Sequence, residues 1–145
     1  MVADKTGCVL IFNTAASKMF GYAPKDVVGQ NVSMLMEDSL ARVHHTFIDR
    51  YLHSDRSNSR IIGTPGREVL AQHQDGTLIP VWLTINYKEI AGQSLFLACL
   101  RDLRETKRQQ EQILKTNQRL RSVMRAMVSS LRPLRYRDVL HWSDT

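Results

Sequence analysis

His44 is the residue of this chain whose type and setting are best suited to chemistry. In a helix over residues 40–51 it would share one face with four apolar side chains: Leu40, Phe47, Ile48 and Tyr51. His45 would point about 100° away, towards the polar side. A histidine directed into a core is either a ligand to a group held there or a buried imidazole with a backbone partner, and the second case is commoner. The residues alone leave both interpretations open.

The elements that precede this helix are short. Residues 8–12 are apolar and β-branched, as in a buried strand, and Asn13 is a suitable N-cap for a helix at 14–20. A second short helix is predicted to begin at Pro24. Only three residues precede the turn at 4–7, too few for the partner strand that this turn implies. We therefore expect the first strand to be cut short.

Three strands joined by tight turns follow the His44 helix. Residues 67–72 alternate in polarity, residues 74–77 carry a strong hairpin signal, and residues 78–88 form a long strand with one apolar side. A last strand covers residues 94–100. Two strands, several short helices and three hairpin-linked strands predict an α+β fold, in which helices cover one face of a five-stranded antiparallel sheet.

A long amphipathic helix is predicted after the last strand. Two heptad positions repeat along it, the first at Leu103, Gln110, Asn117, Met124 and Leu131 and the second at Thr106, Ile113, Leu120, Met127 and Leu134. Asn117 at the first position is typical of two-stranded coiled coils. The alternative is an amphipathic helix that packs on its own domain. A helix that leaves an outer strand has little domain surface left to cover, so we favour a homodimer through residues 103–131.

The formal charge of +6 belongs to the C-terminal part of the chain. Residues 1–100 contain nine Lys/Arg and nine Asp/Glu, whereas residues 101–145 contain eleven and five. The basic helix at 119–132 is typical of a coiled-coil linker, a target for a calmodulin-like protein or a membrane surface, or a nucleic-acid contact. The heptad pattern favours the first of these, and we expect no binding to DNA.

The composition places the protein among ordinary globular chains. Of its 145 residues, 43% are hydrophobic and 23% are charged. No stretch resembles a secretory signal or reaches the length that spans a membrane. Cys8 and Cys99 both lie in strand-like stretches and suggest no disulfide framework, so we expect a reducing, cytoplasmic setting.

Several local motifs carry a resemblance to a known family. They are Gly-Cys-Val-Leu-Ile-Phe-Asn-Thr-Ala-Ala at 7–16, Phe-Gly-Tyr at 20–22, Val-Gly-Gln-Asn at 28–31, Asp-Gly-Thr-Leu-Ile-Pro-Val at 75–81 and Arg-Asp-Leu-Arg-Glu at 101–105. Together with the order of elements, they resemble a PAS sensor domain over about residues 1–115. The last motif resembles the one through which this family couples its sheet to a signalling helix. The resemblance implies a regulatory domain that catalyses nothing by itself.

The central run is similar to one subgroup of that family, the haem-binding FixL-type oxygen sensors of bacterial histidine kinases. The stretches concerned are 30–36, 43–51 and 61–69. The resemblance implies that His44 is the axial ligand to the iron of haem b. It places Arg50 and Arg60 where side chains meet haem propionates.

The same resemblance implies a distal side opposite His44. Ile62, Leu83 and Ile85 would form its apolar wall, and Arg67 would interact with the ligand bound on this side. An apolar wall keeps water from the metal, and a guanidinium suits a carboxylate or a bound diatomic gas. The segment between His44 and Arg67 is a few residues longer than in the subgroup and contains Pro65, which bears on where Arg67 lies.

These observations predict a sensory module of a larger signalling protein. Residues 1–102 would be the sensor domain, residues 103–132 the signalling helix, and residues 133–145 a basic tail leading to an effector such as a kinase. The module would sense oxygen or redox state through haem held by His44. The alternative is a PAS domain with another small molecule or no ligand, which regulates its effector through dimerisation and protein contacts.

Overall fold

The structure is a computed structural model and describes residues 1–53 and 62–131. Within these residues, five strands form one antiparallel sheet. The strands are β1 (Val2–Asp4), β2 (Val9–Ile11), β3 (Arg67–Gln72), β4 (Leu78–Ile90) and β5 (Gln93–Asp102). Their order across the sheet is β2-β1-β5-β4-β3. The predicted α+β fold is therefore confirmed.

Short helices separate β2 from β3, and a long one follows β5. They are α1 (Thr14–Phe20), α2 (Pro24–Val27), a 3-10 helix at Val32–Leu35, α3 (Asp38–Ala41), α4 (His44–His53) and α5 (Arg104–Ser130). Asn13 caps α1 as predicted, because its side-chain oxygen accepts a hydrogen bond from the N–H of Ala16 at 3.0 Å.

The expectation that too few residues precede the first turn to form a strand is wrong. Val2–Asp4 forms β1, which is antiparallel to β2 on one side and to β5 on the other. A three-residue strand has few ladder bonds with any single neighbour. Pairing on both edges gives β1 a second set of ladder bonds, and Ala3 is buried.

The prediction of one continuous helix over residues 40–51 is also wrong. α3 ends at Ala41 and α4 begins at His44, with a turn between them. The N–H of Val43 donates to the carbonyl of Leu40 at 3.2 Å, and the N–H of Thr46 donates to the carbonyl of Val43 at 3.0 Å. These bonds span three residues, whereas an α-helix spans four. Leu40 therefore lies on a different helix from His44.

The core lies between the sheet and the helices that precede α3. Its buried cluster consists of Val9, Phe12, Ala16, Phe20, Val27, Val32, Leu35, Ala71, Ile79 and Val81. Ile79 and Val81 of this cluster are two positions apart on β4, as expected for one covered face of a sheet. α4 contributes no fully buried residue, so this helix lies over the sheet without being part of the core.

The chain divides into two compact units, residues 1–105 and residues 106–145. The second unit is described as far as Leu131, and within it α5 leaves its apolar side chains exposed. The exposed fraction is 61% for Ile113, 56% for Leu120 and 64% for Met124. Among the described residues, no helix is both long and apolar enough to cross a membrane. The predicted basic tail at 133–145 lies outside the described residues.

Candidate ligand-binding site

His44 is the first residue of α4 and is half-buried. It borders an open depression of about 100 Å³. The other residues that line this depression are Thr6, Asn31, Ser33, Ala41, His45 and Ile48. The sequence places His45 on the polar side only, and it gives no sign that the turn at Thr6 and the 3-10 helix at Ser33 contribute. The fold brings both elements to α4 from earlier in the chain.

Burial lowers the pKa of the His44 imidazole below its ordinary value, and the neighbouring His45 lowers it further. Transfer of an imidazolium out of water is costly, so the neutral form is favoured. A neutral imidazole has a free electron pair on one ring nitrogen and can bind a metal. The environment of His44 therefore suits a metal ligand at neutral pH.

The predicted apolar wall is formed where β4 meets the segment before β3. Leu83 and Ile85 are two residues apart on β4 and therefore share one face of the sheet. Ile62 forms a parallel bridge with Ile85, and the N–H of Gly63 donates to the carbonyl of Ile85 at 2.9 Å. The structure thus brings Ile62, Leu83 and Ile85 together.

Arg67 lies beside this wall despite the longer segment that precedes it. It is the first residue of β3 and pairs directly with Leu83. Residues directly opposite in an antiparallel ladder have side chains on the same face. Arg67 is exposed at the edge of the sheet, so a guanidinium is available at the border of the apolar wall.

The other two predicted arginines have different outcomes. Arg50 is exposed and lies in the last turn of α4, six residues after His44. Arg60 lies outside the described residues. The described residues that line the depression at His44 do not include Ile62, Arg67, Leu83 or Ile85. The predicted site residues are therefore divided between α4 and the β3–β4 side of the sheet.

Three aromatic rings connect α4 to the sheet. The ring centroid of Tyr51 is 5.5 Å from that of Tyr87 and 5.9 Å from that of Phe96, and the last two are 5.3 Å apart. Such distances and tilts are favourable for aromatic pairs. Tyr51 was expected on the apolar face of the helix, but its partners on β4 and β5 could not be read from the sequence.

The segment before Arg67 is attached to the opposite face of β4. The indole N–H of Trp82 donates to the carbonyl of Pro65 at 3.1 Å. Gly66 follows in a left-handed conformation, with φ at +99°. A Cβ atom on Gly66 would lie 2.6 Å from the carbonyl oxygen of Leu83. Only glycine fits such a close approach of two backbones.

The sheet leads directly into α5. The Asp102 carboxylate accepts a hydrogen bond from the N–H of Arg104 at 2.9 Å and forms an ion pair with its guanidinium at 2.6 Å. The hydrogen bonds from Arg104 hold the pKa of Asp102 below its ordinary value. The N–H of Leu103 donates to the carbonyl of Pro80 at 2.9 Å. The first turn of α5 is therefore fixed to the ends of β4 and β5.

Residues 1–105 match the family model described as PAS domain. The sensor protein FixL of Bradyrhizobium diazoefficiens is 34% identical over 125 residues, which are 86% of this chain and 24% of that protein. The oxygen sensor protein DosP of Escherichia coli is 30% identical over 104 residues, 72% of this chain and 13% of that protein.

A further relative is a cell-division control protein. The histidine kinase PdhS of Brucella ovis is 31% identical over 114 residues, which are 78% of this chain and 10% of that protein. The chain thus spans about a quarter or less of the length of these relatives.

Two solved structures have a similar fold. The PAS domain of an HTR-like protein from Haloarcula marismortui superimposes with a TM-score of 0.55 at 22% identity, over 70% of this chain and 77% of that one. The PAS domain of a Desulfitobacterium hafniense protein superimposes with a TM-score of 0.57 at 16% identity, over 71% and 90%. At these identities the similarity concerns the fold alone.

Proposed function

This chain belongs to the PAS domain family, and from that premise we propose that it is a haem-binding sensory module with His44 as the axial ligand to iron. The observation that carries the proposal is the setting of His44. Its imidazole is half-buried, its pKa is lowered by burial, and it lies on a helix with no fully buried residue. The name of the Escherichia coli relative, oxygen sensor protein, supports oxygen as the signal.

The chemistry of the residues predicted for the site suits haem, whereas the depression at His44 is itself lined by other residues. Haem supplies an iron centre that binds small gases. It also carries two acidic propionate groups. His44 would hold the iron, and Arg50 and Arg60 would pair with the propionates, since a guanidinium binds carboxylates in a bidentate manner. Arg67 would donate a hydrogen bond to the bound gas.

The apolar wall would control what reaches the metal. The aliphatic side chains of Ile62, Leu83 and Ile85 would exclude water from the metal, which would favour small neutral ligands. Neutral gases lose little solvation free energy on entering a site lined by such a wall, whereas ions lose much of theirs. Of the predicted residues, Arg67 alone would then interact with the bound gas through a polar group.

The size of the depression sets a condition on this proposal. Its volume is about 100 Å³, whereas pockets for cofactors and drug-sized ligands measure roughly 300–1,000 Å³. None of the described residues of β4 or β5 lines the depression, so haem held by His44 and packed against Leu83 and Ile85 would require α4 to move away from these strands. The contacts that oppose this movement include the ring pairs of Tyr51 with Tyr87 and Phe96.

The signal would leave the domain through β5 and α5. Asp102 ends β5 and binds the first residue of α5, so a change in the twist of the sheet would alter the direction of that helix. The apolar heptad side chains from Ile113 to Leu131 are exposed and support a homodimer through α5, whereas Leu103, the first predicted seam residue, is buried. We propose that an attached effector responds to this change, for example a histidine kinase, as the name of the Brucella ovis relative indicates for that protein.

The test is the absorption spectrum of the whole chain expressed with haem supplied. We expect a Soret band that is lost or strongly shifted in His44→Ala. His45→Ala is the matched control, because it removes the neighbouring imidazole, which is exposed. The proposal is contradicted by a wild-type chain without a Soret band, or by a His44→Ala spectrum identical to that of the wild type.

A second function is a PAS domain without haem, which regulates its effector through dimerisation. The small volume of the depression favours it. Sedimentation of the chain with and without residues 103–145 tests this function. We expect a dimer that becomes a monomer on truncation, and a monomer in both cases contradicts it.

A further inference from the structure

We propose that Trp82 is a positioning residue for Arg67, which it holds beside Leu83 from the reverse face of the sheet. Trp82 would do so by fixing the turn at residues 64–66 to β4. The role of Arg67 towards a bound gas rests on the proposed function above, whereas the attachment of the turn does not.

Trp82 lies on the opposite face of the sheet from the predicted wall. It is adjacent to Leu83 in β4, and successive side chains of a strand point to opposite faces. Its neighbours across the two ladders are Glu68 and Arg101. Its indole N–H nevertheless reaches the carbonyl of Pro65 at 3.1 Å. The turn therefore passes over the edge of the sheet and is bonded on the reverse side.

The close packing of Gly66 is a second, independent sign of this attachment. A Cβ atom at Gly66 would lie 2.8 Å from the indole nitrogen of Trp82 and 3.0 Å from the hydroxyl oxygen of Thr84. The first distance is shorter than real Cβ contacts, and the second is shorter than most of them. The backbone of the turn thus lies directly against the side chains of Trp82 and Thr84.

Two bonds hold the turn at its two ends. The N–H of Gly63 donates to the carbonyl of Ile85 at 2.9 Å, and the carbonyl of Pro65 accepts from Trp82. Only Gly66 separates Pro65 from Arg67, so the bond to Trp82 sets where β3 begins. A slip of one residue in this register would move Arg67 to the opposite face of the sheet, away from Leu83.

Hydrogen exchange tests the attachment without haem. In Trp82→Phe, which keeps a ring and removes the N–H donor, we expect the backbone amides at residues 67–69 to exchange about three- to tenfold faster, the range for losing one ordinary hydrogen bond. Asn86→Ala, exposed on the same face of β4, is the control and should leave them unchanged. Equal exchange in Trp82→Phe and wild type overturns the proposal, whether or not the chain binds haem.

Gas binding tests whether Trp82 acts through Arg67. With haem bound, Trp82→Phe should retain the Soret band and release oxygen about three- to tenfold faster. In an Arg67→Ala background, the same Trp82→Phe change should have no further effect, since a positioning residue acts only through the residue that it positions. Additive effects of the two substitutions overturn the proposal.

The wild-type chain provides a third measurement if Trp82→Phe does not fold. The indole N–H of Trp82 should exchange slowly with solvent because it is bonded to the Pro65 carbonyl. The chain contains two tryptophans, and Trp142→Phe assigns the two indole signals. An indole N–H of Trp82 that exchanges at the rate of a free indole overturns the proposal.

Discussion

Arg67 pairs directly with Leu83 in the ladder between β3 and β4, so the two side chains extend from the same face of the sheet. Ile85 follows two residues later on that face and forms a bridge with Ile62. The pairing places a positive charge at the rim of an aliphatic surface. Such a rim can hold a polar or ionic group of a ligand whose body lies on the aliphatic side.

Replacement of Arg67 by alanine should change gas binding without preventing haem binding. A hydrogen bond from a charged donor contributes about 1.5–3 kcal/mol. We therefore expect Arg67→Ala to release oxygen at least about tenfold faster while the Soret band is retained. Stopped-flow spectroscopy measures this rate. Glu68→Ala, on the opposite face of β3, should release oxygen as the wild type does, and an unaltered rate in Arg67→Ala would argue against its role.

Replacement of Gly66 by alanine should destabilise the protein more than the same change at Gly76. Both residues have positive φ, at +99° and +87°, so both substitutions incur a strain of about 1–2 kcal/mol. Space around Gly76 is open, whereas a Cβ atom at Gly66 would meet the carbonyl oxygen of Leu83. Urea unfolding should show the difference. Equal losses at both positions would mean that the turn before Arg67 can move aside without cost.

Removal of the Asp102 carboxylate should weaken the start of α5. Asp102→Ala loses the acceptor for the N–H of Arg104, and loss of such a cap costs about 1 kcal/mol. Asp102→Asn keeps an acceptor oxygen and loses only the exposed ion pair, which contributes roughly 0–1 kcal/mol. Urea unfolding, monitored by circular dichroism, measures the free energy of unfolding. We expect it to be highest in the wild type, lower in Asp102→Asn and lowest in Asp102→Ala. The reverse order of the two variants contradicts the capping role.

A charge placed in the heptad seam of α5 should separate the proposed dimer. Met124 occupies the first heptad position and is 64% exposed, so Met124→Glu would bring two carboxylates together in an apolar interface. Ser122→Glu adds the same charge two residues earlier, outside the seam. Sedimentation should give a monomer for Met124→Glu and a dimer for Ser122→Glu. A dimer in both cases would place the interface elsewhere.

Stability of the haem-free protein should fall at low pH because of His44. Burial lowers the pKa of His44 in the folded state, so the unfolded chain binds more protons below about pH 6.5, the ordinary value for histidine. The free energy of unfolding contributed by this group is therefore present above that pH. It is lost as the pH falls through the folded pKa.

Urea unfolding between pH 7.5 and 5 measures this dependence, with His44→Gln as the test and His45→Gln as the control. We expect the slope against pH to be smaller in His44→Gln. His45→Gln should retain most of the slope, because burial is the larger cause of the shift at His44 and His45 the smaller one. An unchanged slope in His44→Gln would show that its imidazole is not desolvated.

The sheet could be predicted closely from the sequence because its signals are local. The prediction of a strand at 67–72 is matched by β3 at Arg67–Gln72. The hairpin signal at 74–77 lies between β3 and β4, where it was expected. Alternation of polarity and turn residues act within a few positions, so neither depends on the rest of the fold.

The details of the candidate site could not be predicted in the same way. The break between Ala41 and His44 arises from hydrogen bonds spanning three residues, and the apolar spacing continues across it without interruption. The Trp82–Pro65 bond joins residues 17 positions apart, and no pattern in either segment indicates the other. Such contacts depend on the final arrangement of the chain.

The sparse packing of α4 gives the protein two levels of stability. The core cluster is formed by strands and helices on either side of α4 in the sequence, and α4 adds no fully buried residue to it. The free energy needed to open α4 locally should therefore be well below that of global unfolding. A ligand that requires this opening must supply only the free energy of opening α4, not that of global unfolding. The helix that carries His44 can therefore replace its contacts to the sheet with contacts to a ligand while the rest of the fold is retained.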